Sequence, residues 1–274
     1  MTDEEGRGKI KIGILQESVN LPLSDATKRA VKVTEHKLRE LGYLVVPFFL
    51  TDEVWQQARD FQLLLTANTY LKNLFAEAEN ECETLDRELS ILKRIVNLPT
   101  LFRPLLDSYL RRVKLNPRLA NHLRNFRTVK DDEMELLLKK KYEFQNQVSQ
   151  KWQRSNLQAL VAPIFPHSVL KKEHNLDQSA MLEYTMIWSC LGYPCSTLPV
   201  TSIAEHEQYF VDHFQDSWTD ALSTAARDSA KLPVALQVVG YPSEDERVLA
   251  LTKLLQDNIE YEDLNIEKKL DPLK

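Results

Sequence analysis

The sequence predicts an α/β fold from three observations. An apolar run with strand character at 10–15 is followed by a helical pattern and then by a second apolar run at 43–50, which gives the order strand, helix, strand. Helical periodicity dominates from about 51 to 156. Short apolar runs then return at 160–166, 195–201 and 233–240 as predicted buried strands, so the sheet draws strands from both ends of the chain.

The first helix has clear start and stop signals. Ser24 and Asp25 are candidate capping residues, and Gly42 ends the helical pattern. One face of the helix carries Val31, Thr34, Leu38 and Leu41. The run at 43–50 that follows is continuously apolar, which favours a strand covered on both faces.

Two later helices are also predicted from their patterns. A stripe interrupted by Lys141 aligns Met134, Leu137, Phe144, Val148 and Trp152. Near the end, Ser243 and Glu246 have the spacing of a capping box, and the helix it starts buries Val248, Leu251 and Leu255. With no Gly/Ser-rich linker, we interpret residues 1–274 as one domain with a helical insertion at 51–156.

Composition excludes several classes of function. The formal net charge of -5 gives no general attraction to nucleic acid, so we expect no nucleic-acid partner. The three cysteines, Cys82, Cys190 and Cys195, lack disulfide or zinc spacing and favour a reducing intracellular compartment. The six histidines show no metal-ligand spacing, so we expect neither a metal nor a cofactor. No apolar run is long enough to span a membrane, which leaves a soluble or surface-bound protein.

Several stretches, in register along the chain, resemble the C-terminal part of fatty acid amide hydrolases in the amidase-signature family. They are KIKIGIL with RAVKVTEHKLRELGYLVVPF, LPTLFRPLL, WQRSNLQALVAPIFP, SAMLEYTMIWSCLGYPCSTLPVT and LPVALQVVGYPSEDERVL. The resemblance implies the fold of that family, a twisted mixed β-sheet flanked by helices with a helical cap. It also implies that Leu182, Met186, Phe214 and Trp218 line an acyl channel. Ordinary core packing of these four residues is the alternative. Ser189 departs from the family, which often carries asparagine there.

The resemblance further implies amide hydrolysis by a serine nucleophile, a second serine and a lysine on a glycine-rich loop. Glycines let the backbone approach the substrate and present N–H groups to the developing oxyanion. None of the six glycines here lies in a Gly-Ser-Ser-Gly context, so the sequence lacks this loop. Ser179, Ser189 and Ser196 have no base paired with them by sequence, and we expect them to be structural. We therefore assign no catalytic residue.

The segment 88–115 combines apolar and basic side chains and is split by Pro99 into two short helices. Such a segment can lie in the boundary of a bilayer while its cations meet lipid phosphates. The resemblance places the membrane cap here, so the candidate cap residues are Leu92, Val96, Phe102, Leu105, Leu106, Tyr109, Leu110, Arg111 and Arg112. Packing of the same residues on the protein's own core, or on a neighbouring subunit, is the alternative.

Three hypotheses of function follow. In the first, the chain supplies the substrate channel and membrane cap of a lipid-amide hydrolase, and the nucleophile-bearing N-terminal amidase half is a separate polypeptide or lies outside this sequence. In the second, the chain is a non-catalytic structural subunit, derived from an amidase and covered by another protein. In the third, it is a membrane-binding module alone. The expected partners are that second polypeptide or a covering subunit, a membrane surface contacted peripherally, or a second copy in a homodimer.

Overall fold

The computed structural model describes residues 10–167 and 181–261, which form a five-stranded mixed sheet with helices packed on both faces. The strands are Lys11–Leu15 (β1), Leu44–Phe48 (β2), Ala159–Pro163 (β3), Cys195–Ser202 (β4) and Pro233–Val239 (β5). Their order is β2-β1-β3-β5-β4, in which β2, β1 and β3 are parallel while β5 runs antiparallel to β3 and β4. All five predicted strands and the α/β class are therefore confirmed.

The region between β2 and β3 is helical in the described structure, as its periodicity predicts. Along the whole described chain the α-helices are Asp25–Glu40 (α1), Asp52–Asn68 (α2), Tyr70–Asn80 (α3), Arg87–Val96 (α4), Arg103–Arg112 (α5), Pro117–Leu123 (α6), Asp131–Ser155 (α7), Glu183–Leu191 (α8), Ser217–Ala226 (α9) and Asp245–Asn258 (α10). Helices α2 to α7 are those between β2 and β3. A short 3-10 helix, Thr100–Phe102, precedes α5. The division of residues 1–274 into one domain with an insertion at 51–156 stays a prediction.

The first βαβ unit forms where the sequence predicts it. Ser24 caps α1 by accepting a hydrogen bond from the backbone N–H of Thr27, which satisfies one of the free donors at the helix start. Gly42 follows the helix at φ +87°, a conformation that costs glycine little, and lets the chain turn into β2. α1 then buries Ala30, Thr34 and Leu38 against the sheet.

The predicted capping box at the start of α10 is wrong. α10 begins at Asp245 after Glu244, whose side chain makes no capping hydrogen bond. Ser243 has φ +68° and so turns the chain before the helix instead of capping it. The buried face of α10, made by Val248, Leu251 and Leu255, is as predicted.

β2 lies at one edge of the sheet, and the prediction that both of its faces are covered holds in part, since Val45 is buried on one face and Phe48 on the other. Leu44 is 42% exposed, and Pro47 is also exposed. β4 lies at the other edge, where Cys195, Thr197 and Pro199 are exposed, Leu198 and Val200 are buried and Ser196 is half-buried. Only β3, in the middle, is buried at every position.

Two apolar cores lie on opposite faces of the sheet. One joins β3 and β5 to α1 and α10. The other is richer in aromatic side chains and packs α2, α7, α8 and α9 on the same strands; it includes Trp55, Trp152, Trp188 and Trp218. Burying one such side chain contributes about 1.5–3 kcal/mol, so this aromatic core fixes how the helices sit on the sheet.

A third, smaller cluster lies within the helical region. It joins α2 and α3 to the end of α4 through residues that include Leu63, Leu71, Phe75, Val96 and Phe126. α7 contributes Phe144, Val148 and Trp152 to the aromatic core, as its stripe predicts, while Met134 and Leu137 at its start are only half-buried. No helix within residues 10–167 and 181–261 is long and apolar enough to cross a bilayer.

Candidate substrate cavity

Helix α8 carries the candidate site, because its two sides have different surroundings. Glu183, Tyr184, Ile187 and Trp188 are buried on one side. Leu182, Thr185, Met186 and Ser189 fall on the other side, three or four residues apart, and line a cavity. Gly192 ends the helix at φ +72° and leads through Pro194 into β4, so the sheet fixes the far end of α8.

Hydrogen bonds attach the buried side of α8 to the sheet and to the loop after β1. The buried amide of Gln237 on β5 donates to the carbonyl oxygens of Pro163 at 2.6 Å and Tyr184 at 2.9 Å. The Tyr184 hydroxyl donates to the carbonyl of Leu21 at 2.7 Å and accepts from the N–H of Ser18 at 2.8 Å. Buried groups that satisfy each other in this way hold the helix in one position.

A buried ion pair fixes the start of α8. Arg59 Nη1 on α2 lies 2.8 Å from Glu183 Oε2, and the Ser18 hydroxyl donates to Glu183 Oε1 at 2.8 Å. Burial raises the pKa of Glu183, while the charge of Arg59 and the Ser18 hydrogen bond oppose that rise. The pair therefore depends on both partners being present in their positions.

The cavity itself has a volume of about 340 Å³ and lies between α2, α3, α4 and α8. Besides the four α8 residues, it is lined by Gln62, Leu63, Thr66, Tyr70, Leu71, Leu92 and Phe126. None of these side chains is charged. A mainly apolar wall with a few hydroxyl and amide groups suits a ligand with an apolar chain and few polar atoms.

Of the four predicted channel residues, the structure brings Leu182 and Met186 together in this cavity. Phe214 and Trp218 lie elsewhere, around the guanidinium of Arg118 on α6. The Arg118 Cζ atom is 4.0 Å from the centre of the Phe214 ring and 5.2 Å from that of Trp218. Trp218 is 1% exposed and belongs to the aromatic core.

Sequence reasoning missed the ion cluster that Arg118 forms. Its Nε donates to Asp216 at 2.7 Å and its Nη1 to Asp212 at 3.1 Å, and its Nη1 also donates to the carbonyl of Asn20 at 2.9 Å. Asp216 in turn caps α9 by accepting from the N–H groups of Trp218 and Thr219. One arginine from the helical region thus holds the start of α9, and no local sequence pattern links residues about a hundred positions apart.

The predicted cap residues have several different surroundings. Val96 and Leu110 are buried in the protein's interior and cannot contact lipid as the chain stands. Leu92 lines the cavity, and Leu106 is half-buried. Phe102, Leu105 and Tyr109 are exposed, together with Leu101 at 80%. The break at Pro99 and the two short helices around it are as predicted.

The basic residues of the segment also differ from one another. Arg111 Nε donates to Asp107 at 2.9 Å. Arg112 is exposed.

The remaining polar candidates make no catalytic arrangement among the described residues. Ser189 lines the cavity and Ser196 lies on β4, and neither hydrogen-bonds a lysine or histidine in the described ranges. Ser179 lies outside the described residues. Within 10–167 and 181–261, no group of three or more His, Cys, Asp or Glu side chains is arranged to hold a metal ion.

Comparison with known proteins gives consistent matches. Residues 2–249 match the family model described as Amidase. Fatty-acid amide hydrolase 1 of Sus scrofa is 25% identical over 229 residues, which are 82% of this chain and 38% of that protein.

Solved structures show the same likeness. The structure of a fatty acid amide hydrolase matches with a TM-score of 0.56 at 14% identity. The match covers 92% of this chain and 40% of the hydrolase chain. The structure of 6-aminohexanoate cyclic dimer hydrolase complexed with substrate matches with a TM-score of 0.55 at 14% identity. That match covers 93% of this chain and 46% of the other chain. The likeness shows the shared fold, and the chain spans less than half the length of these relatives.

Proposed function

This chain belongs to the amidase family, and on that basis we propose that it supplies the substrate cavity and a membrane-contacting segment of a lipid-amide hydrolase. In this proposal the catalytic serines and lysine come from a second polypeptide or from a portion outside these residues. The reaction is hydrolysis of a carbon–nitrogen bond other than a peptide bond. The observation that carries the proposal is the uncharged cavity on α8, which contains Leu182 and Met186.

The lining of the cavity supports an acyl chain as the bound group. Each methylene that leaves water for such a wall contributes about 0.8 kcal/mol, so a short stretch of chain suffices for measurable binding. Ser189 lies on the same side of α8 as Leu182 and Met186 and offers a hydroxyl group to a polar atom. The Thr185 hydroxyl on that side donates to the carbonyl oxygen of Ile164 at 3.0 Å, so it can only accept a further hydrogen bond. In this proposal these residues bind and orient the substrate, while attack on the amide carbonyl and proton transfer belong to the other portion.

The exposed apolar residues of the 3-10 helix and α5 support a peripheral contact with an intracellular membrane. Leu101, Phe102, Leu105 and Tyr109 are exposed, and Arg112 and Lys114 are exposed close by in sequence. Apolar side chains beside cations are typical of segments that lie in the interface of a bilayer. Such a contact would let an apolar substrate reach the cavity without crossing water.

Binding of oleamide to the purified chain tests the cavity. Met186→Trp fills the space beside Leu182, so we expect it to weaken displacement of a fluorescent fatty-acyl amide by oleamide. The same substitution at the exposed Leu136 on α7 is the matched control and should leave the displacement unchanged. Equal affinity in both variants would show that the cavity does not take the acyl chain.

Reconstitution tests whether this chain binds the substrate while another portion supplies the catalytic residues. Co-expression with the N-terminal, nucleophile-bearing portion of a fatty-acid amide hydrolase should give oleamide hydrolysis, with a fluorophosphonate probe labelling that portion. Met186→Trp should lower this activity and Leu136→Trp should not. Labelling of a single serine in this chain alone, together with hydrolysis of oleamide by it alone, contradicts the proposal.

A non-catalytic structural subunit is the second candidate. It is supported by the absence of a Gly-Ser-Ser-Gly loop from the sequence and by the open edge of the sheet at β4, where alternate side chains are exposed. In that case a protein that covers β4 should co-purify with the chain, and the complex should neither bind nor hydrolyse oleamide.

A further inference from the structure

A second cavity, separate from the one on α8, lies between the 3-10 helix, α5 and α6. Its volume is about 420 Å³, and it is open to solvent on one side. Its polar wall is formed by Thr100, Arg103, Asp107, Arg111 and Arg124. Three arginines against one aspartate leave an excess of two positive charges on this wall.

Arg103 is the most constrained of these cations. Its side chain is half-buried, and Nη2 donates to the carbonyl oxygens of Ile95 at 3.0 Å, Val96 at 3.2 Å and Phe126 at 3.3 Å, which leaves Nε and Nη1 for a ligand. Within the described ranges no carboxylate lies at ion-pair distance from it. Burial lowers the pKa of Arg103, and the nearby charge of Arg127 lowers it further. A partly desolvated cation held in place without a counter-ion favours binding of an anion.

The other two arginines leave this excess in place. Arg111 donates to Asp107 and, through Nη2, to Asn121 at 2.6 Å, so the single carboxylate of the wall is already engaged. Arg124 lines the cavity and is exposed. Outside the cavity, the charge of Arg124 acts with others to oppose the rise that burial causes in the pKa of Asp60.

We propose that this cavity binds a phosphate monoester. The double negative charge of that group matches the excess of two positive charges, and the planar fork of arginine suits two phosphate oxygens at once. Phosphatidic acid in a membrane and a soluble sugar or glycerol phosphate share this chemistry. The exposed Leu101, Phe102 and Leu105 on the same 3-10 helix and α5 favour the lipid. This lipid assignment rests on the proposed membrane contact.

Matched arginine variants test the site. We expect the chain to bind phosphatidylcholine vesicles containing phosphatidic acid more tightly than vesicles of equal surface charge containing phosphatidylglycerol, a phosphate diester. Arg111→Gln and Arg124→Gln should each weaken binding to phosphatidic acid about tenfold, the loss of one charge-assisted hydrogen bond. Arg112→Gln is the control, because Arg112 is exposed on the same helix and does not line the cavity; it should weaken binding to both kinds of anionic vesicle alike and keep the preference for phosphatidic acid, which Arg111→Gln and Arg124→Gln should abolish.

Titration with glycerol 3-phosphate separates the two sources. If it binds and loses affinity in Arg111→Gln and Arg124→Gln but not in Arg112→Gln, while no vesicle binds, the phosphate site stands and the proposed membrane contact fails. Equal loss in all three variants, or equal affinity for the two kinds of anionic vesicle with no binding of glycerol 3-phosphate, overturns the site. Neither result bears on oleamide binding, so the substrate cavity is judged separately.

Discussion

Arg59 on α2 and Glu183 on α8 form an ion pair across 2.8 Å, with side chains that are 5% and 2% exposed. The pair joins two helices that both line the α8 cavity. Water is excluded from both charges, so each partner is costly without the other.

Replacing Arg59 with Met should destabilise the fold by about 3–5 kcal/mol, since it leaves Glu183 buried without its cation. Chemical unfolding in urea measures the change. The double variant Arg59→Met/Glu183→Leu should recover much of the loss, because both charges are then removed. Lys139→Met, which breaks the exposed pair with Glu135, is the control and should cost less than about 0.5 kcal/mol. Equal costs in Arg59→Met and Lys139→Met would contradict this account.

Replacing Arg118 with Met should also destabilise the fold, by about 3 kcal/mol or more, because Asp212 and Asp216 are then buried without a cation. Burial opposes ionisation of Asp216, yet the hydrogen bond and charge of Arg118, together with the backbone N–H groups of Thr219 and Trp218, outweigh it and lower the pKa of this carboxyl. That stabilisation is present above the pKa of the unfolded chain and is lost as the pH falls through the lower pKa of the folded state. Arg118→Met should therefore flatten the acid side of the stability curve. Arg112→Met, on the exposed surface, should leave the curve unchanged.

Stability should fall as the pH drops from 7 to 5, in part because of His167. Burial lowers the pKa of His167 from 6.5 to about 4, so the unfolded chain takes up a proton in this range while the folded chain does not. Uptake of that proton should cost about 2 kcal/mol at pH 5.

Urea unfolding at both pH values tests the role of His167. His167→Asn should lose about 2 kcal/mol less than the parent between pH 7 and pH 5. His206→Asn, an exposed control, should behave as the parent does. An unchanged pH dependence in His167→Asn would count against burial of a neutral imidazole.

Gly240, after β5, should not accept a side chain. A Cβ atom there would lie 2.4 Å from Val248 Cγ2, so Gly240→Ala should destabilise the fold by about 1–3 kcal/mol through overpacking. Adding Val248→Ala should cost less in this background than in the parent, because it removes the clash.

Gly42→Ala is the matched control for this coupling. The strain there comes from φ +87°, and no atom lies within 4 Å of the added Cβ. The loss of unfolding free energy in Gly42→Ala should therefore simply add to the loss in Val248→Ala. Thermal unfolding of the single and double variants measures both cycles.

The sequence predicts the elements well where local physics decides them. The five strands, the cap at Ser24, the turn at Gly42 and the break at Pro99 depend on residues within a few positions of each other. Amphipathic spacing likewise predicts the buried face of α10.

What the sequence could not predict depends on distant partners. The edge positions of β2 and β4 are set by which strands pair, and an apolar run looks the same in the middle of a sheet and at its border. Nothing near Arg118 in the sequence distinguishes it from the other arginines, because its partners Asp212 and Asp216 are distant along the chain. The role of the four predicted channel residues stays a prediction: Leu182 and Met186 line one cavity, whereas Trp218 lies in the core beside Arg118.

Substitutions on the two sides of helix α8 have different consequences. Substitutions at Glu183, Tyr184 or Trp188 act on stability, because these side chains are part of the interior and its hydrogen bonds. Substitutions at Leu182, Met186 or Ser189 reshape the cavity and leave the interior intact. Under the proposed function, substitutions on one side of this nine-residue helix and at Leu182 just before it therefore change the molecule that the cavity binds, and they require no gain of stability elsewhere.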